Sequence, residues 1–323
     1  GVGSVAAEAI IVERNNSGSY KSFMDFIKRI DSKVVNKRVL EALAVGGAFD
    51  TLTSVNRANF FKLHDNQSFI ETVIRFRSQF AKNNDRFNQL EMFDQVTMTT
   101  MTKEPVLSDT EEWNKFELLD KEKQVLGIYI TGHPLDDYSL EVKNFCSHQI
   151  RDIDLFSQPV ANFTFSGYVQ SHIERMGKND KPYGVIVLED YSGTKEFRLF
   201  GENYIKFRNY FIAGALLYIS ASIRKRSWDA SLFISFDQVN LLSEVASKLI
   251  HEINFSINLH NINYDFVQSL IGVVKKHPGK HNLKLNIYDE KVNLSFLSKN
   301  YQVNVCKKFI NEMNTFSTKY ILK

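Results

Sequence analysis

The sequence predicts a multidomain α+β chain: a helical region, then a five-stranded barrel, then a small α/β module. Three observations lead there. At 323 residues the chain is too long for one ordinary core and suggests two or three domains. Its apolar period is helical over the first part and changes to strict alternation from about Phe163. The last 70 or so residues then mix strand and helix patterns. Hydrophobic content of 43% and charged content of 24% are those of a soluble globular protein. A net charge of +3 neither demands nor excludes nucleic acid, so any basic footprint must be local. Cys146 and Cys306 form no metal-ligand spacing and no disulfide framework, which fits a reducing cytosol. The longest apolar run, near Phe211 to Ile219, is about half the length a membrane-spanning helix needs, so no membrane partner is expected. The chain opens without an initiator methionine and in the middle of a motif, and is expected to be a fragment of a longer protein.

Residues 1–80 read as helices joined by glycine turns. Gly1-Val2-Gly3-Ser4 precedes a helix-forming run, Val5 to Arg14. Glycines at a helix start let the backbone turn tightly and present free N–H groups to a phosphate oxygen. Such a loop resembles the hairpin of a helix-hairpin-helix DNA-binding unit, and a plain helix start fits equally well. Phe23, Phe26, Ile27 and Ile30 recur at helical spacing. A further helix, Val34 to Val45, ends at Gly46-Gly47, a possible second hairpin. The basic residues Arg29, Lys33, Lys37 and Arg38 could reach a DNA backbone or simply line a solvated face. Arg57 to Phe80 reads as one more helix.

Residues 81–110 read as a polar linker carrying Gln89-Leu90-Glu91-Met92-Phe93. Leu90, Met92 and Phe93 have no neighbouring core to join, so they suit an extended docking peptide with apolar anchors, headed by the amide of Gln89. A helix whose apolar face spells the same pattern is the alternative. Residues 111–158 read as a helical connector, in which Trp113, Phe116, Leu118, Leu119 and Val125 pattern as a helix with Lys121, Glu122 and Lys123 on its wet side. His133, between glycine and proline, is expected to be a turn residue. Asp152 and Asp154 have the D-x-D spacing of a divalent-metal pair, but no third acid accompanies them, and polar capping of a turn is the expected use.

Residues 159–245 read as five strands, at 163–169, 183–188, 196–200, 216–222 and 231–236, with a helical run from Asn203 to Phe211. A helix between the third and fourth of five strands is the order of an OB-fold barrel. Such barrels hold single strands by aromatic stacking and a basic groove. The candidates are Arg175, Lys178 and Lys181 on the first hairpin, with Arg224, Lys225, Arg226 and Trp228 on the last; packing of the barrel is the competing use of the aromatics. Residues 246–323 predict an α/β domain: strand 253–259, helix 264–276, strands 283–287 and 292–296, and a helix at 305–316. It has no glycine-rich phosphate loop and reads as a partner-binding module.

Several stretches resemble one family: Gly1-Val2-Gly3 with Glu8-Ala9-Ile10; Asn36 to Glu41 running into Gly47-Ala48-Phe49-Asp50; the pentapeptide; Leu126-Gly127-Ile128-Tyr129 with Thr131-Gly132-His133-Pro134-Leu135; and Leu188-Glu189-Asp190 with Gly193 and Phe200. In this order they look like the C-terminal third of the bacterial replicative DNA polymerase III α subunits. The resemblance implies a modular tail without catalytic residues. Its hairpins, at Gly1, Gly3, Gly46, Gly47, Lys37 and Arg38, would grip duplex DNA. Gln89, Leu90, Met92 and Phe93 would bind the sliding clamp (β subunit). The OB domain would meet single-stranded template, and the C-terminal domain the τ subunit of the clamp loader. The family's catalytic aspartates and their Mg²⁺ belong to a palm domain that precedes the hairpins, so this DNA-directed DNA polymerase (nucleotidyltransferase, transferase) fragment is expected to be inactive alone, to need no cofactor, and to act in the bacterial cytoplasm at the nucleoid. One departure is that Asn179-Asp180 separates Lys178 from Lys181 where the family usually has glycine, which weakens phosphate contact there. The alternatives are a metal-dependent phosphodiester enzyme or another OB-fold nucleic-acid-binding protein.

Overall fold

A computed structural model describes residues 1–90, 104–107, 109–177, 180–226, 231–290, 293–316 and 319–323, with residues 80–90 described by backbone alone. The chain forms two compact units, Gly1–His133 and Pro134–Lys323. The stretch 111–158, expected as one connector, is therefore divided between them.

The first unit is helical: α1 Ser4–Ser17, α2 Phe23–Arg29, α3 Lys37–Val45, α4 Phe69–Leu90 and α5 Lys115–Leu126, with a two-stranded hairpin, β1 Leu63–His64 and β2 Gln67–Ser68, before α4. Side-chain caps start three of these helices: Ser22 accepts from the Asp25 N–H, Asn36 from Val39 and Asn114 from Glu117. Phe23, Phe26, Phe49 and Phe60 pack edge to face at centroid distances of 4.8 to 5.2 Å around Ile27 and Leu40. Arg57–Phe60 is a 3-10 turn and does not begin the next helix. Asp65 and Asn66 both take left-handed backbone and turn the chain through the hairpin first. Helix α4 continues to Leu90, so residues 81–90, expected as linker, are helical in backbone.

Glu122 is a further correction. Expected on the wet side of α5, it is fully buried. Its Oε1 accepts from Arg57 Nη1 at 2.9 Å, and Oε2 accepts the backbone N–H groups of Ile130 at 2.8 Å and Thr131 at 3.1 Å. Arg57 also donates to Val45 O at 2.9 Å and to Asp50 Oδ2 at 2.7 Å. A buried charge survives only when paired and hydrogen-bonded in this way.

The second unit holds two sheets. The 3-10 turn Pro134–Tyr138, helix α6 Ser139–Phe145 and the 3-10 turn Ile150–Leu155 lead into β3 Val160–Met176, β4 Pro182–Asp190, β5 Gly193–Phe200, α7 Gly201–Phe207, β6 Leu216–Lys225 and β7 Leu232–Leu241. These strands are antiparallel in the order β5-β4-β3-β6-β7. Strand β3 serves both halves: Val160 to Tyr168 pair with β6, and Tyr168 to Met176 with β4, across an irregularity at Val169 and Ser171. One long strand bent across two partners, with α7 between the third and fourth strands, is the OB arrangement. Phe163, Phe165, Phe197 and Phe236 fill the barrel. Tyr204 of α7 is fully buried and lies against Gly184, where an added Cβ would stand 2.3 Å from the ring.

Helix α8 Leu242–Leu249 leads to β8 Glu252–Asn258, α9 Tyr264–Lys276, β9 Pro278–Tyr288, β10 Asn293–Val303, α10 Lys307–Met313 and β11 Lys319–Leu322. The sheet runs β10-β9-β8-β11, and β8 and β9 are parallel across the α9 crossover. The α/β expectation holds here. The parallel pairing and the last strand β11 were not foreseen.

Candidate nucleic-acid interface

In the helical unit the glycine turn stands at the start of α1. Gly3 is its N-cap, with extended backbone and no side chain capping the first turn, so the opening N–H groups of this 14-residue helix face outward. A concavity of about 350 Å³ is lined by Gly1, Val2, Gly3, Asn36, Arg38 and Val39, which brings the starts of α1 and α3 together beside the exposed Arg38. Helix starts and a guanidinium meeting in one hollow form an electropositive cradle that suits a phosphate.

Other expected contacts are engaged elsewhere. Lys37 Nζ donates to Glu71 Oε1 at 2.7 Å, and this carboxylate holds its ammonium above the usual lysine range. Arg29 is clasped by Glu13 and Asp25, donates to Gly18 O and lies 4.4 Å over the Tyr20 ring. It is an internal tie of the helical unit. Gly46 and Gly47 close the C-terminal end of α3 and donate to Ala42 O at 2.9 Å and Ala44 O at 3.2 Å. Those N–H groups are spent within the helix. Gly47 has φ +76°, and an added Cβ would meet Arg57 Nη2 at 2.2 Å. The glycine thus serves the buried Arg57–Glu122 pair. Of the pentapeptide, Gln89 and Leu90 end the α4 backbone, while Met92 and Phe93 lie outside the described residues.

In the barrel the β3–β4 turn carries Arg175 and Lys181, both exposed, and closes with Gly177 N–H on Lys181 O at 3.0 Å. Lys178 and Trp228 lie outside the described residues. At the β6–β7 end, Arg224 donates to Asp237 Oδ1 at 2.8 Å and to Ser222 Oγ at 3.0 Å, so its charge is partly spent on the barrel. Lys225 is exposed, and Arg226 stands 5.8 Å over Phe233. Asp152 caps its own turn by accepting from Gln149 N–H at 2.8 Å, and Asp154 pairs with Lys195. A turn cap by Asp152 and an ion pair by Asp154 thus occupy the two acids of the D-x-D spacing. Asp190 is buried and accepts the N–H groups of Ile150 and Ser192, both at 2.7 Å, which explains why Leu188-Glu189-Asp190 is structural. His133 packs edge-on against Tyr129 at 5.3 Å, as a turn residue. Among the described residues no group of three or more His, Cys, Asp or Glu could hold a metal, and no helix is long and apolar enough to cross a membrane.

The residue-based reading missed the outer face of the barrel. Tyr183 and Phe200, cross-strand neighbours on β4 and β5, stack at 5.1 Å with 22° between planes. The alternation of β4 and β5 carried that signal, since Gly184, Ile186, Phe197 and Leu199 point inward.

A helix-hairpin-helix motif model matches residues 1–60, and a model described as the DNA polymerase III alpha subunit, C-terminal domain, matches residues 253–318. DNA polymerase III subunit alpha of Haemophilus influenzae is 27% identical over 288 residues, 89% of this chain and 24% of that protein. The Borreliella burgdorferi subunit is 33% identical over 218 residues, 67% of this chain and 18% of that protein. The chain is a relative of the C-terminal part of DNA polymerase III subunit alpha. It spans about a quarter or less of the length of these relatives. A solved structure of the yeast mitochondrial single-stranded DNA binding protein Rim1 matches 25% of this chain and 93% of its own, at 21% identity and TM-score 0.20. The OB assignment rests on the strand order described above.

Proposed function

We propose that this chain is the non-catalytic C-terminal tail of a replicative DNA polymerase III α subunit. It tethers the polymerase to the sliding clamp, guides duplex and single-stranded DNA, and meets the τ subunit of the clamp loader in the bacterial cytoplasm, at the nucleoid. The observation that carries this reading is order: a helix-hairpin-helix match at residues 1–60 and a polymerase α C-terminal match at 253–318 bracket a five-stranded OB barrel. On this reading Gly1, Gly3 and Arg38 take a phosphate of the duplex, and the barrel meets the unpaired template. Gln89, Leu90, Met92 and Phe93 dock on the clamp. The chain needs no cofactor and has no polymerase activity by itself. Weak contacts on one tether raise each other's effective concentration, so modest individual affinities suffice for processivity.

The test is clamp capture on a surface by this chain and by a variant carrying Gln89→Ala, Leu90→Ala and Phe93→Ala together. Capture that the triple change abolishes, with an unchanged circular dichroism spectrum, supports the tether; equal capture by both chains, or by neither, refutes it. DNA binding is tested separately by titrating duplex and primed DNA at low and high salt, where affinity should fall steeply as salt rises.

A further inference from the structure

We propose that one end of the C-terminal domain, residues 246–323, is a further contact for the phosphate backbone of duplex DNA. This goes beyond the reading above, which gives the duplex to the hairpins and the C-terminal domain to a protein partner. Residues 246–323 carry eleven lysines, no arginine and five acidic residues, a net +6. Residues 1–245 carry 29 lysines and arginines against 32 acidic residues, a net −3. The mild charge of the whole chain therefore hides one basic domain.

The fold gathers much of that charge at one end of the sheet. Strands β8 and β9 are parallel, with Glu252 opposite Asn282 and Asn258 opposite Tyr288, so α9 starts at the Tyr288 end and returns to the Pro278 end. Strand β10 runs back along β9 and brings Val303 beside Pro278. The α9–β9 junction, with Lys275, Lys276 and Lys280, thus meets the β10–α10 junction, with Lys299, Lys307 and Lys308, and all six lysines are exposed. Backbone contact is close: Asn304 N–H donates to His277 O at 2.9 Å, and a Cβ on Gly279 would stand 2.3 Å from Asn304 N. Glu312 lies 3.9 Å from Lys276 and 3.3 Å from His277, and Lys307 donates to Asp136 O at 2.8 Å. Lys275, Lys280, Lys299 and Lys308 form no ion pair among the described residues. Asp265, Asp289 and Glu290 stand at the Tyr288 end, which leaves Glu252 and Glu312 as the carboxylates of this domain near the lysines.

Clustered like charges repel one another, and their chemistry selects what relieves them. Lysine is depleted from protein interfaces, whereas its ammonium serves phosphate as a point charge. Unpaired strands are held by aromatic rings that stack their bases. The exposed aromatic side chains of this domain among the described residues, Tyr264, Tyr288 and Phe296, stand toward the other end of the sheet. A duplex presents its phosphates outward and is held through them without regard to sequence.

The test uses the full chain and a fluorescein-labelled duplex, read by anisotropy across a salt series. Lys275→Ala, Lys280→Ala and Lys308→Ala together should weaken duplex binding roughly tenfold at low salt and lower the salt slope by about two to three. The same three positions changed to arginine should retain affinity, because the charge is kept. An alanine triple that binds duplex as its parent does overturns the proposal, and if Arg38→Ala still weakens binding the hairpin reading stands without it. The reverse pattern removes the hairpin contact and leaves this one, and a parent chain that binds no duplex refutes both. An equal loss on a thymidine oligonucleotide would assign the lysines to unpaired strands and overturn the duplex contact. Labelled polyglutamate bound by the parent as tightly as duplex, and lost in the alanine triple, would assign them to an acidic protein segment instead.

Discussion

Glu122 offers a direct test of how the helical unit is held together. In Glu122→Ala the carboxylate vanishes from a fully buried site. Arg57, with a side chain 15% exposed, loses its inward partner, and the N–H groups of Ile130 and Thr131 lose their acceptor. Breaking a buried ion pair on one side costs about 3–5 kcal/mol. Arg57 keeps Asp50 at 2.7 Å and Val45 O at 2.9 Å, which places the expected loss near the lower end, about 3 kcal/mol. Glu122→Gln keeps the shape and one acceptor but turns an amide toward a guanidinium, so about 2 kcal/mol is expected from one lost charge-assisted bond. Asp50 is 48% exposed, so Asp50→Asn should cost under about 1 kcal/mol. The assay is urea unfolding followed by Trp113 fluorescence in a Trp228→Phe background, because Trp113 packs against Phe61 and reports the helical unit. The order Ala, then Gln, then Asp50→Asn is the expected ranking of losses. A Glu122→Ala chain that unfolds within about 0.5 kcal/mol of its parent would mean that the buried pair does not carry the stability assigned to it.

Further outcomes follow from single contacts. Gly184→Ala forces a Cβ to within 2.3 Å of the buried Tyr204 ring and should destabilise the barrel by about 1–3 kcal/mol, read from thermal unfolding. Burial pushes the Cys146 thiol up to about 12, so peptide mapping after iodoacetamide treatment at pH 8 should find Cys146 unmodified until the chain is unfolded. The folded state keeps that thiol protonated, so its contribution to stability is complete below the ordinary thiol value near pH 8.5 and declines as pH rises above it. In duplex titrations Arg38→Ala should weaken binding several-fold and lower the salt slope by about one, whereas Lys37→Ala should do less because Glu71 already holds that ammonium. Equal losses for the two would place the phosphate elsewhere on α3.

Much of the barrel and the C-terminal domain was legible because local pattern and tertiary role agree there. Phe163, Phe165, Ile186, Leu188, Phe197 and Leu199 alternate with outward residues in sequence and point to one core in space. Helix α9 and its flanking strands likewise lie close to their expected positions. In the helical unit the agreement fails where long side chains cross between elements. Glu122 sits between two lysines and looks solvated, yet it is buried because Arg57, 65 residues earlier in the chain, reaches it. Gly46 and Gly47 look like a phosphate-binding turn, yet they end a helix, and Gly47 makes room for that same arginine.

The sequence by itself determined the order of the elements, the alternation that builds the barrel, and the apolar faces that build the cores, because each depends on residues within a few positions of one another. The tertiary structure decided which charges are available to a ligand. Arg29 and Lys37 are tied to carboxylates of their own unit, while Arg38 lines an open hollow. It also decided that Tyr183 and Phe200 meet, since strand register brings side chains 17 residues apart in the chain into one stack. Pairing across the fold depends on where the backbone has returned to, and neither composition nor spacing encodes that return.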